Sequence, residues 1–364
     1  MTRRTTIAAV LVGGALLVAG CSQDDQASQG ATAEPAKVTK TTAKPPAPFD
    51  AGPVKIAMVQ NSGAGDYFQQ FTNGVKQQAK ALRIELQVYD AQADNSRQAT
   101  DMRTAIGSGV KGIIVDHGQS DTMCPLINDA LDAGIPVVVY DVEVSACAPK
   151  AVETAQNDAN LANLILGQMS KDLGTDKPVG YVNVRGVAPL DRRDAVWKQV
   201  RAKQRWHEEF FVGDFTDSVA TDNAQLVNAA LRAKPDVAGI FAPYDELTKG
   251  TVSAVRQNGL EEDIRVYGVD ISTADIEVMT ADKSPWVATA TTDPNAIGAA
   301  VVRSAALELA GELGEREVIF PGTLVTQRFL RDEQIRNLDQ LRAALPKLNL
   351  TKVAVADWIP VIDF

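Results

Sequence analysis

Histidine occurs twice in these 364 residues, as His117 and His207, and cysteine three times, as Cys21, Cys124 and Cys147. Neither spacing matches a zinc site, so no metal is expected. No Ser-His-Asp or Cys-His arrangement can be drawn from so few residues, and there is no Gly-rich Lys-Ser/Thr phosphate loop. Asp191 and Asp194 form a hydrolase-like carboxylate pair, but they sit close together at a helix start with no convergent partner. Excess basic charge is lacking too. The formal net charge is −10, whereas a nucleic-acid face needs clustered Lys and Arg. Beyond the N-terminus no apolar run approaches the ~20 residues of a membrane-spanning helix. An enzyme, a cofactor and a nucleic-acid partner are therefore not expected.

What is present begins with an address. Arg3 and Arg4 precede the uncharged apolar run Ile7 to Ala19, which suits a removable signal better than a permanent span. Arg3-Arg4 also resembles the start of a twin-arginine signal, with Thr6 where that motif favours an aromatic. The run closes in Leu17-Val18-Ala19-Gly20-Cys21, which resembles a bacterial lipobox. Residues 1–21 are thus expected to be a lipoprotein signal, with Cys21 lipidated and the chain anchored outside the cytoplasm on the cell membrane. In residues 22–52 the large apolar side chains are Val38 and Phe49, and Gln, Ser, Ala, Thr, Lys and Pro dominate. Such a stretch buries too little to offset its chain entropy and is expected to be a flexible tether. Once Cys21 is lipidated, Cys124 and Cys147 remain. In an exported protein they read as a disulfide worth about 3 kcal/mol, the alternative being two buried thiols.

From Val54 onward short β-rich runs alternate with helical stretches. Val54-Lys55-Ile56-Ala57-Met58-Val59 is a strand, and Phe68, Phe71, Val75, Ala79 and Leu82 then mark one helix face. Ile84 to Tyr89 is a second strand. Gly112 to Asp116 and Ile135 to Tyr140 are nearly continuous apolar runs, the mark of strands buried on both faces of a parallel sheet. Helices are expected over Asn95 to Ser108 and Asp121 to Ala133. The rhythm restarts after residue 160, with helices at Asn160 to Leu173, Arg192 to Gln204, Val219 to Ala233 and Glu246 to Asn258. Strands are expected at Val179 to Val184, Val237 to Phe241, Ile264 to Val269 and Trp286 to Thr291. About 310 residues exceed one ordinary core, so two doubly wound α/β lobes with parallel sheets are expected.

In open α/β sheets a ligand sits beyond the carboxyl ends of the strands. Those ends here carry Asn61 through Phe68, Asp90, Asp116, Asp141, Arg193, Phe215, Tyr244-Asp245, Asp270 and Thr292-Asp293. Carboxylates and a guanidinium can hold sugar hydroxyls bidentately, and aromatic rings can cover the C–H faces of a sugar. The set suits binding rather than catalysis.

These residues resemble a known family. Lys55-Ile56-Ala57-Met58-Val59-Gln60, Ala133-Gly134-Ile135-Pro136-Val137-Val138-Val139-Tyr140-Asp141, Phe241-Ala242-Pro243-Tyr244-Asp245-Glu246 and Val266-Tyr267-Gly268-Val269-Asp270 are similar, in order and spacing, to the type I periplasmic binding proteins, in particular the ribose-binding-protein-like group. The likeness runs from about Val54 to Leu330. It implies two Rossmann-like lobes joined by a three-segment hinge, crossing near Gln156, near Asp293-Pro294 and near Gly322. The first lobe would be residues 53–156 plus 293–322, and the second 157–292 plus 323–364 with a C-terminal extension. In that extension Ile335, Leu338, Leu341 and Leu345 suggest a helix on the second lobe.

The likeness also implies roles. Tyr67 and Phe68 match an aromatic pair that sandwiches a sugar ring, and Asp141 matches an Asp that binds its hydroxyls. The Arg that commonly follows is Val142 here. Arg193, Phe215 and Asp270 match the arginine, the third aromatic and the carboxylate of the second lobe. Tyr244 replaces a frequent Asn, and Thr292 a frequent Gln. With those groups changed, ribose, a sugar alcohol and another polyol all stay open. Plainer roles stay open beside these: core packing for Tyr67, Phe68 and Phe215, helix caps for Asp141 and Asp270, and a solvated pair with Asp191 or Asp194 for Arg193. The implied partners are a sugar or polyol and the membrane permease of an ABC importer, served by a monomer. A sensor that presents its ligand without transport needs the same fold.

Overall fold

The computed structural model describes residues 37–364; Cys21 and the signal-like run lie outside them. After the short strand β1 (Lys37–Val38) the chain builds a first lobe from β2 (Val54–Gln60), α1 (Asp66–Ala81), β3 (Ile84–Asp90), α2 (Asn95–Gly107), β4 (Gly112–Asp116), α3 (Ser120–Asp132), β5 (Val137–Tyr140) and β6 (Val152–Gln156). It crosses to a second lobe at α4 (Asp158–Leu173). There follow β7 (Pro178–Val182), α5 (Ala188–Gln204), β8 (His207–Val212), α6 (Val219–Ala233), β9 (Gly239–Ala242), α7 (Asp245–Gln257), β10 (Arg265–Val269), α8 (Thr273–Thr280) and β11 (Trp286–Thr291). The chain returns with α9 (Pro294–Ala310) and β12 (Glu317–Phe320), then leaves again with β13 (Thr323–Thr326) and α10 (Gln327–Asp332). It ends in α11 (Leu338–Ala344) and β14 (Ile362–Asp363).

Each lobe has a six-stranded sheet, in the order β12-β6-β5-β4-β2-β3 and β13-β11-β10-β9-β7-β8. The first sheet is parallel throughout. In the second, β13 runs antiparallel to β11. The direction follows from the crossing: β12 ends at the cleft, so β13 enters the second lobe from the cleft and runs away from it. The apolar runs of β4 and β5 are buried at every residue, as strands covered on both faces must be. Helices α1 and α9 pack closely because Gly74 and Gly298 face each other's helix. A Cβ at Gly74 would collide with the Asn295 carbonyl oxygen, and one at Gly298 with that of Phe71.

Several expectations need correction. Helix α5 begins at Ala188 rather than Arg192, with Pro189 in its first turn, where a missing N–H costs nothing. Strands β6, β8, β12 and β13 and helices α8, α9 and α10 are not among the expected elements; β6 (VETAQ) lacks the apolar run that marks β4 and β5, and the run in β12 (EVIF) is buried only at Phe320. Residues 37–52 are not a free tether. β1 pairs with β14, Thr39 and Thr42 donate to the carbonyls of Val361 and Asp357, and buried Phe49 packs on Trp358 with centroids 5.3 Å apart.

Nor does the C-terminal extension stay on the second lobe. Leu338 N donates to Thr273 there, and Arg342 pairs with Asp293 at the hinge. Beyond them the chain lies on the first lobe. Buried Arg303 of α9 donates to the carbonyls of Leu350 and Val353, and Gln78 of α1 donates to that of Pro360. The expected helix is correspondingly short, holding Leu338 and Leu341 but not Ile335 or Leu345. Cys124 of α3 and Cys147, in the loop after β5, are joined by a disulfide with Cα atoms 5.9 Å apart.

Candidate functional site

The carboxyl ends of the two sheets face one another across a cavity of about 260 Å³. A monosaccharide displaces the volume of only a handful of waters at ~30 Å³ each, so the cavity has room for one. From the first lobe Asn61, Tyr67, Phe68, Asn95, His117 and Asp141 line it, with Gln156 at the crossing. From the second come the stretch Val184 to Leu190, Arg193, Asp214, Phe215, Tyr244 and Asp270.

Arg193 is the electrostatic centre. Its Nε donates to Asp158 Oδ1 at 2.7 Å, its Nη1 to the Pro243 carbonyl, and its Nη2 to Gln156 Oε1. Asp270 Oδ2 lies 3.7 Å from Nη1. Burial works against the guanidinium charge, but Asp158, Asp270 and Asp141 outweigh it and hold the proton more firmly than usual. Burial pushes the Asp270 carboxyl up to about 6, with Arg193 and Gln156 opposing it. Asp191 and Asp194, the sequence alternatives for Arg193, have other partners: Asp191 accepts from Gly186 N, and Asp194 pairs with Lys198.

Asp141 and Asp270 both hold left-handed backbone, with φ of 53° and 74°. Such geometry is uncommon outside glycine and gathers at functional sites. Neither residue caps a helix. Ser272 caps α8, in a reciprocal box with Asp275. Asp141 is gripped from the opposite lobe, where Arg192 Nη2 donates to its Oδ1 at 2.7 Å while Arg192 Nε holds Asp158. The guanidinium missing at Val142 is thus supplied across the cleft by Arg192, the neighbour of Arg193 on α5.

The aromatic groups divide. Phe68, Tyr244 and Phe215 form a chain of rings with centroids 6.3 and 6.5 Å apart. Tyr67 offers its ring to the cavity, while its hydroxyl bonds Tyr140 and Gln156 at the hinge.

Thr292 needs correction, because it does not line the cavity. It is buried behind it, where its Oγ1 accepts from Gln156 Nε2 at 3.0 Å. The amide expected at position 292 comes instead from Gln156, which also reaches Asp270 Oδ1 at 3.4 Å. Gln156, His117, Asn95, Asp214 and the stretch 184–190 were missed as cavity residues. For His117 a signal existed, since it directly follows the run Gly112 to Asp116. For Gln156 the one signal was its place at the expected hinge crossing, since β6 carries no strand-like apolar pattern.

Comparison with known proteins agrees with this geometry. Residues 56–313 match the family model described as periplasmic binding protein domain. The ribose import binding protein of Bacillus subtilis is 24% identical over 265 residues, covering 72% of this chain and 84% of that protein. A 5-methylthioribose transporter solute-binding protein from Thermotoga lettingae, solved with 5-methylthioribose, is 36% identical with a TM-score of 0.82. It covers 84% of this chain and 97% of its own. A sugar ABC transporter protein of Yersinia enterocolitica is 28% identical, with a TM-score of 0.84, covering 88% and 98%.

Proposed function

Because this chain belongs to the periplasmic binding proteins, we propose that it captures a monosaccharide-sized sugar or polyol between its lobes and delivers it to an ABC importer. One observation carries the reading: Arg193, Gln156 and Asp270 face Asp141 across a cavity walled by Phe68, Phe215 and Tyr244. Fixed donors and acceptors meet hydroxyls there, and rings meet the C–H faces. A solute held by both lobes stabilises the closed state through the contacts it makes only when they meet. The relatives are named as importer components, which favours transport over presentation to a sensor.

Within that class a pentose carrying an apolar group at one end fits best. The stretch Val184 to Leu190 gives the cavity Val184, Val187, Ala188, Pro189 and Leu190, an apolar wall that a hydroxyl-rich end of a sugar leaves unused. The first solute to test is therefore 5-methylthioribose, which the 36% identical Thermotoga protein binds. In the same reading residues 1–21 are a lipoprotein signal and Cys21 carries the membrane anchor. The protein acts as a monomer, since one chain supplies both walls of the cavity.

A thermal-shift panel of ribose, allose, apiose, allitol and 5-methylthioribose, with amino acids and nucleosides as controls, tests the solute class. A true solute at 100 times its Kd stabilises the fold by ~2.7 kcal/mol. Shifts confined to the controls would overturn the sugar reading. Mass spectrometry of the membrane-extracted protein tests the anchor, whose lipid mass on Cys21 must vanish in Cys21→Ala.

A further inference from the structure

A nearly buried imidazole faces the same cavity, and the roles assigned so far leave it without a task. His117 follows β4 with left-handed backbone (φ 55°), as does Gly118 after it (φ 127°). The turn is pinned on both sides: His117 N donates to the Tyr140 carbonyl at 2.8 Å, and Gln98 Nε2 donates to the His117 carbonyl at 2.8 Å. Histidine enters this region more readily than most residues, yet the conformation persists only where its surroundings hold it. Here it presents the ring to the cleft. The ring meets Phe68 edge-on with centroids 5.0 Å apart, and its side chain is 12% exposed.

One ring nitrogen is committed and the other is not. Nδ1 lies 2.7 Å from Asp116 Oδ1. Asp116 is fully buried, and its second oxygen has no partner among the described residues. Nε2 stands 3.9 Å from Asp141 Oδ2, too far for a direct hydrogen bond. A single hydroxyl oxygen can sit about 2.8 Å from both atoms of such a pair. Asp141 is ready to receive it, because Arg192 occupies the other carboxylate oxygen.

Resting on the reading of this cavity as a sugar site, we propose that His117 is a solute-contacting residue. Its protonated Nε2 donates to a solute hydroxyl that in turn donates to Asp141 Oδ2, so capture weakens as the imidazole loses its proton. The donor count sets the sign. With Nδ1–H turned to Asp116, a neutral ring offers only a lone pair at Nε2. A hydroxyl with one proton cannot then satisfy both Nε2 and Asp141.

The titratable and charged groups facing the ring are Asp116 at the end of β4, Asp141 just beyond β5, Tyr140 on β5, Tyr67 on α1 and Arg192 on α5. Burial disfavours the charged ring, but Asp116 and Asp141 outweigh burial and Arg192 together. The proton is therefore kept to higher pH than on an ordinary histidine.

The test is calorimetric titration of the protein without its anchor cysteine, residues 22–364, with 5-methylthioribose and ribose between pH 5.5 and 9, together with imidazole ¹⁵N NMR. Since the chain has two histidines, His207→Gln leaves a single imidazole to follow. The expected Kd is flat at the acid end and rises with pH, by at most about tenfold per unit for one linked proton. That alkaline rise is absent in His117→Asn, and added sugar shifts the His117 Nε2 signal and raises its pKa. If the variant does not fold, the ring titration in the His207→Gln chain decides alone. A sugar that binds equally at every pH and leaves the ring signal unmoved overturns the role of His117 while sparing the sugar reading. Failure of these two and of every other sugar and polyol in the thermal-shift panel to bind at any pH overturns both.

Discussion

Asp66 Oδ2 lies 2.8 Å from Lys249 Nζ, joining the first turn of α1 in one lobe to α7 in the other. The same carboxylate accepts from Ser272 Oγ at 3.0 Å, and Glu246 Oε1 accepts from Asp66 N at 3.1 Å. All of these contacts span the cleft, so opening the lobes breaks them. Lys249 and Asp66 are 18% and 31% exposed, which leaves the pair partly screened and worth up to about 1 kcal/mol. Asp66→Asn is expected to raise the solute dissociation rate about two- to fivefold and to leave thermal stability nearly unchanged. Stopped-flow release measures it, and an unaltered rate would remove this pair from the energetics of closure.

Arg193 has no comparable freedom to be lost. It is 3% exposed, and removing it takes the buried guanidinium away from Asp270 and leaves the buried Asp158 to Arg192 alone. Breaking a buried pair in this way costs about 3–5 kcal/mol. Arg193→Met is expected to lose both stability and solute binding. Arg193→Lys keeps the charge but cannot reach Asp158, Gln156 and Pro243 together, and is expected to fold with binding reduced at least about a hundredfold. Chemical denaturation and calorimetry on the same two variants separate the effects.

Phe215 is half-buried and belongs to no strand or helix. It packs at the edge of the core rather than within it, so its truncation opens no enclosed cavity. A ring fully covered by solute contributes about 2 kcal/mol, so Phe215→Ala is expected to weaken binding about thirtyfold with little change in Tm. Equal losses of affinity and Tm would assign the ring to packing.

Asp270 makes stability depend on pH with a definite sign. Its carboxyl is pushed up to about 6 in the fold, against about 3.9 in an unfolded chain. In the window between, the folded state holds the extra proton, so raising the pH draws the unfolded state down in energy. Relative to Asp270→Asn, the solute-free protein should lose stability from about pH 4 to about pH 6 and change little above that. Urea midpoints of the two proteins across pH 4–8 check it; parallel curves would refute it.

The disulfide closes a loop between positions 23 residues apart, and Asp141 lies within that loop. Replacing Cys124 and Cys147 with alanine together is expected to cost about 3 kcal/mol. Binding should persist, because Asp141 is held separately by Arg192 and by its main-chain bond to Thr154. Denaturation with and without reductant, followed by calorimetry, distinguishes the two effects.

Much of this protein was written locally. Apolar runs such as Gly112 to Asp116 are strands wherever helices can cover both faces, and the spacing of Phe68, Phe71, Val75 and Ala79 makes one helix face regardless of what it meets. Strand ends then nominate Asp141, Asp270 and Tyr67 from order alone. What order could not supply was distance across the cleft. That Arg192 grips Asp141 from 51 positions away, that Gln156 takes the place expected of Thr292, and that a 3.9 Å gap separates His117 from Asp141 are consequences of two sheets brought end to end. The same holds for residues 37–52 and 349–364. Each segment alone is too short to enclose a core, and each is ordered by the other and by α1 and α9. Periodicity is a property of neighbours in the chain, so sequence determined the elements; burial and pairing belong to neighbours in space, so the tertiary structure decided the site.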